Sequence, residues 1–181
     1  MKLLYKILVT LILLGNLVPK TKGGEENEEK IKLPEAYKAI QIIETGSLKL
    51  KEAVYADKDV MRIDSIEDGE PITTLIRRDL GKMYKIALNR NEYIEKVIPI
   101  IKDDEEEKFI KIKSSTKENK KYKEIRSLGS GTEFVIEEDS GLPVLIRKNG
   151  VESKINWIEY NPGPQDKKIF EIPEGYKKLE N

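Results

Sequence analysis

Chains that perform acid–base or nucleophilic chemistry usually show it in their histidines and cysteines, and this chain has neither. Their absence removes imidazole bases, Ser–His and Cys–His pairs, disulfides and most transition-metal sites. Carboxylate pairs are the chemistry left open, because acidic residues are plentiful. The densest group, Asp103-Asp104-Glu105-Glu106-Glu107, falls in a charged stretch where solvated carboxylates are expected. It has no turn glycine to shape a Ca²⁺ loop. Gly129-Ser130-Gly131 lacks the Lys-Ser/Thr that completes a phosphate-cradling loop. The expectation is a non-enzymatic protein with no catalytic residue, no metal and no cofactor.

What the chain does offer is aliphatic and aromatic side chains in strand-length runs. Apolar residues make up 38% and charged ones 36%, and the apolar ones cluster in short runs, so the charge does not signal disorder. Lys2 and Lys6 bracket a basic N-terminal region ahead of the apolar run "ILVTLILLGNLV" (7–18), which is too short for the roughly 20 residues of a membrane-spanning helix. Residues 1–23 therefore read as a signal peptide, with an uncleaved N-terminal anchor as the alternative, and the expected location is the periplasm or cell envelope. Removing them takes Lys2, Lys6, Lys20 and Lys22 and no acid, leaving 29 bases against 33 acids, a net of −4. Such a balance gives no electrostatic footprint for nucleic acid.

An acidic linker, 24–34, leads into a single domain, 35–181. Short strands separated by turn signals follow one another as an antiparallel meander. "YKAIQIIET" is read as a strand, although Pro34, Ala36, Ile40 and Ile43 also suit a short helix. "LKLKEAVYA" alternates, Glu67-Asp68-Gly69 turns the chain into "PITTLIRRD", and Asn149-Gly150 marks a hairpin. A charged insertion at about 99–124 reads as a solvated hairpin or helical flap, with Ile110 and Ile112 suggesting a strand within it. Near the C-terminus, Ile169-Phe170-Glu171-Ile172 reads as a last strand that Pro173 stops, after which Gly175 lets Tyr176 pack back.

Several strands are apolar on both sides: Tyr84, Ile86 and Leu88 share one face, with Met83 and Ala87 behind. Ile155 and Trp157 oppose Ile158 and Tyr160 in the same way. Such strands need cover from a helix, another sheet or a ligand. The expected fold is mainly β (α+β), a curved antiparallel sheet forming an unclosed β-barrel. Its interior is either a closed core or a cavity open to ligand.

Three stretches carry a resemblance. "VYADKDVMRID" (54–64), "ITTLIRRDLGKMYKIALNRNEYIE" (72–95) and "GLPVLIRKNG" with "IFEIPEGYKKL" (within 141–179) resemble, in order and spacing, runs of the LolA/LolB-like superfamily of exported proteins. The first two fit an uncharacterised branch best. The resemblance implies an unclosed barrel whose concave apolar face, covered by one or two short helices, takes acyl chains. It also maps the family's recurrent arginine to Arg62 in a lid-gating role; against that, the plain reading of Arg62 is a surface cation paired with Asp64 or with a cross-strand acid. A helix at 93–109 would supply a lid.

The function expected is an exported protein binding an apolar small molecule or acyl chain, as a lipoprotein carrier or envelope lipid sensor. Tyr84, Ile86, Leu88, Trp157 and Phe170 are the residues expected at the apolar face. The alternative is a ligand-free module that binds another envelope protein. Peripheral membrane contact is open to either.

Overall fold

The computed structural model describes residues 34–98 and 109–180. The signal peptide, all of the linker but Pro34, and the acidic block 103–107 lie outside them. The strands are β1 (Ala36–Thr45), β2 (Leu48–Asp57), β3 (Val60–Glu67), β4 (Glu70–Arg77), β5 (Lys82–Ala87), β6 (Glu92–Val97), β7 (Phe109–Lys117), β8 (Lys120–Ser127), β9 (Glu133–Glu137), β10 (Pro143–Lys148), β11 (Val151–Pro162) and β12 (Lys177–Lys178). Their hydrogen-bonded order is β12-β6-β5-β4-β3-β2-β1-β11-β10-β9-β8-β7, an unclosed 12-stranded sheet. Among the described residues there is no α-helix, only 3-10 turns at Arg78–Leu80 and Lys167–Phe170. The one or two covering helices expected from sequence are therefore corrected, and 92–97 is a strand where a lid helix was expected.

The described chain clusters into two compact units. One holds 43–49 and 109–156. Here Phe134 lies between Ile125 on β8 and Ile146 on β10, all three essentially without solvent contact. On the other side of these strands, Glu124 meets Lys113 at 3.2 Å and Arg147 at 3.0 Å, and Arg147 also meets Glu152 at 3.0 Å. One dry face and one charged, wet face is what a half-exposed antiparallel sheet requires. The expected solvated hairpin is found as β7–β8: 111–121 are exposed, and Glu118 and Asn119 turn it with φ of 51° and 63°.

The second unit holds 35–42, 50–98 and 157–180. β1 is a strand, and Tyr37, Ala39 and Gln41 are buried on alternate positions. β4 is buried on both sides from Ile72 to Ile76. Its register pairs Leu75 with Arg62 on β3 and with Tyr84 on β5. Thr73 faces Asp64 and Ile86 in the same way. Tyr55, Arg62, Leu75, Tyr84, Ile86 and Tyr93 thus share one face, because cross-strand partners point the same way.

The last segment differs from expectation. Ile169-Phe170-Glu171-Ile172 is not a strand. Asp166 accepts the backbone N–H of Lys168 at 3.0 Å and closes a 3-10 turn over Lys167–Phe170. Ile172 follows in irregular chain, and strand pairing resumes only at β12, parallel to β6. Gly175 does bend the chain, with φ of 80°, a value that favours glycine.

Candidate functional site

Leu75, Tyr84 and Ile86 form the base of an apolar cluster in the second unit, and Phe170 closes over them at 3% exposure. Tyr55, Leu88, Tyr93, Ile169, Ile172 and Tyr176 pack around it. Tyr84 and Tyr93 meet edge-on with ring centroids 6.0 Å apart. Of the residues named from sequence, Tyr84, Ile86, Leu88 and Phe170 are brought together. Phe170 arrives from the 3-10 turn rather than from a strand.

Trp157 is placed elsewhere. It stands edge-on to Tyr37 at 6.1 Å, and Tyr160 packs on the same ring at 5.8 Å. Strict alternation would have put Trp157 and Tyr160 on opposite faces. Glu159, with φ of 50°, interrupts the strand's regular twist between them and lets both reach Tyr37.

Arg62 pairs with Asp64, its Nε donating to the two carboxylate oxygens at 2.9 and 3.1 Å. Asp64 also accepts from Thr73 Oγ1 at 2.6 Å. Arg62 Nη1 reaches the carbonyl of Ile169 at 3.1 Å, so this ion pair fastens the 3-10 turn to the sheet. Both side chains are about three-quarters shielded from solvent. A charge-assisted network of this kind fixes geometry as well as adding energy.

Beside that network lies an open groove of about 260 Å³. Its lining includes Ile40, Ala53, Ile66, Pro71 and Leu88, with Asp64 and Lys51 among its polar members. Ile66 is 61% exposed and stands at the rim of this groove. Leu88 belongs both to this groove and to the cluster under Phe170.

Sequence reasoning missed a buried polar pair. Gln41 Nε2 donates to Glu52 Oε2 at 2.6 Å, and both residues are 3% exposed. The signal was present: Glu52 falls in phase with Leu50, Val54 and Ala56, and Gln41 in phase with Tyr37 and Ala39. Burial raises the Glu52 carboxyl above the usual carboxylate range, opposed by the Gln41 hydrogen bond and reinforced by Glu67. A raised folded-state pKa in an acid means that ionisation costs stability as pH rises, with no cost below the unfolded value. Glu52→Gln keeps an acceptor for Gln41 and removes that cost. Thermal melts taken from acid to neutral pH should show the variant's advantage growing as pH rises above the ordinary carboxylate range. A constant or shrinking difference would contradict the buried ionised carboxylate.

Among the described residues no group of acidic side chains is arranged to hold a metal ion.

No family model and no curated protein matches the chain. Solved structures do match. One, described as an uncharacterized conserved protein from Thermus thermophilus, superposes with a TM-score of 0.58 at 13% identity, covering 81% of this chain and 91% of that one. At that identity the likeness is one of fold alone. A DUF1329 family protein from Desulfovibrio piger aligns over 78% of this chain and 91% of its own at 10% identity, with a TM-score of 0.31 that carries no argument.

Proposed function

We propose that this is a non-enzymatic exported protein that holds an apolar chain, such as a lipid or lipoprotein acyl chain, against one face of its sheet. A lipoprotein carrier and an envelope lipid sensor are the roles that fit. The observation that carries the reading is the open groove lined by Ile40, Ala53, Ile66, Pro71 and Leu88. Its volume lies just under the ~300–1,000 Å³ of sites that enclose drug-sized ligands, and Lys51, Glu52, Asp64 and Ser65 border its apolar lining. Burying such a chain yields about 0.8 kcal/mol per methylene. The likeness of 54–64, 72–95 and 141–179 to LolA/LolB-like runs supports the same class of ligand.

Titration with a fluorescent fatty acid tests this. Saturable binding is expected, and Ile66→Glu should weaken it by at least about tenfold, since a carboxylate in an apolar contact surface loses hydration without a partner. Ile66 is exposed, so the substitution leaves the core intact. Absence of saturable binding would favour the ligand-free module, whose docking edge would be β7, with Ile112 40% exposed.

A further inference from the structure

The open groove and the cluster beneath Phe170 lie on one face of the sheet and meet at Leu88, with the Arg62–Asp64–Thr73 network beside them. Cross-strand register places Ala53, Asp64, Thr73 and Ile86 on the same face as Tyr55, Arg62, Leu75 and Tyr84. Leu88 is the residue common to groove and cluster. The groove is open. The cluster is filled by the chain's own Phe170, Ile172 and Tyr176.

We propose that the C-terminal segment, 167–180, is a displaceable strap occupying the far half of the ligand site. It acts as a length gate: short aliphatic chains fit the groove with the strap closed, and long unbranched chains enter only where it lifts. This rests on the apolar-chain reading given above.

The way the strap is held supports displacement. One side chain in it, Phe170, is fully buried. Its polar fastenings include the 3.1 Å bond from Arg62 to Ile169, a 3.4 Å contact from Tyr176 Oη to the Leu88 carbonyl, and two backbone bonds along β6, Lys177 N to Asn91 and Leu179 N to Tyr93. Lys178 adds an exposed ion pair with Glu95 at 3.0 Å. A strand of two residues at a sheet edge is the least cooperative kind of pairing. Upstream, "NPGPQD" supplies two prolines and Gly163, whose φ of 130° few other residues adopt, so the strap swings from a defined elbow. Tyr176 stands where groove and strap meet, over Leu88.

The absence of cysteine allows a clean test. Glu92 and Lys177 are register partners on the parallel pair β6 and β12, so cysteines at these positions stand side by side and can be cross-linked by oxidation or by a short bis-thiol reagent. Glu92→Cys with Lys177→Cys should lock the strap without touching the groove. With octanoate as the short probe and hexadecanoate as the long one, calorimetry on the oxidised variant should show octanoate affinity unchanged. Hexadecanoate affinity should fall to the octanoate level and recover on reduction. In the unlocked protein affinity should rise with length, by up to about fourfold per methylene. Tyr176→Ala, a half-buried position whose loss leaves the sheet intact, should raise hexadecanoate affinity and leave octanoate alone. Equal hexadecanoate binding by locked and unlocked protein would overturn the gate while leaving the groove reading in place. If neither probe binds the unlocked protein, the groove reading falls and the gate with it.

Discussion

Phe134→Ala is expected to lower the stability of the folded chain by about 3–5 kcal/mol, the usual cost of deleting a core aromatic. Phe134 is 1% exposed and sits on an inner strand with Ile125 and Ile146 as cross-strand neighbours. It also stands edge-on to Phe109, ring centroids 6.1 Å apart, a contact that alanine cannot replace. Those neighbours are held by ladder hydrogen bonds on both sides, so the void cannot collapse. Urea denaturation followed by far-UV circular dichroism should show a lower midpoint with an unchanged slope. A loss under about 1 kcal/mol would mean that these strands are packed far less tightly than their burial indicates.

Leu75→Ala should cost about 2–5 kcal/mol for a related but distinct reason. Leu75 is 1% exposed on β4, between Arg62 and Tyr84, and it is the floor on which Phe170 rests. Its removal opens a void that neither β3 nor β5 can close, and weakens the strap's seat too. Phe170→Ala should cost less than Phe134→Ala, although both delete a buried phenyl ring. The loss at Phe170 is bounded by the free energy that holds the strap down, because beyond it the strap opens locally and the sheet remains. Equal losses at Phe170 and Phe134 would mark the strap as an integral part of the core.

Much of the sheet was legible because hydrophobic alternation and turn chemistry agreed. In β1 the Tyr, Ile and Thr content outweighed the helical spacing of Ala36, Ile40 and Ile43. Asn149-Gly150 made the expected hairpin, with φ of 51° and 77°. Other features had no local signature. Glu118-Asn119 adopts two positive φ values without a glycine, so the basic hairpin it joins could also be read as a helical flap. The positive φ of Glu159 places Tyr160 beside Trp157, and glutamate gives no hint of it. At the C-terminus, "IFEI" alternates like a strand, but Asp166 and the prolines before it decide the local structure in favour of a turn.

The candidate site was legible in composition rather than in layout. Tyr84 and Ile86 fall on one face because the strand period puts them there, and Leu88, just past the end of β5, packs against the same cluster. That Phe170 would lie on top of them depends on a long-range contact that no local pattern encodes. For Arg62 the sequence left Asp64 and a cross-strand acid as partners, and its ion pair is with Asp64. Its bond to the Ile169 carbonyl, which ties the turn to the sheet, was invisible without the fold.

The claim at the centre of this account is that an aliphatic chain lies in the groove beside Arg62 and Asp64. Photocrosslinking with a diazirine-bearing fatty acid, followed by peptide mapping of the adducts, addresses it most directly. Adducts are expected on Ala53, Ile66, Pro71 and Leu88, and an excess of unlabelled fatty acid should suppress them. Adducts scattered over exposed side chains such as Leu48 and Val97, undiminished by competitor, would contradict it.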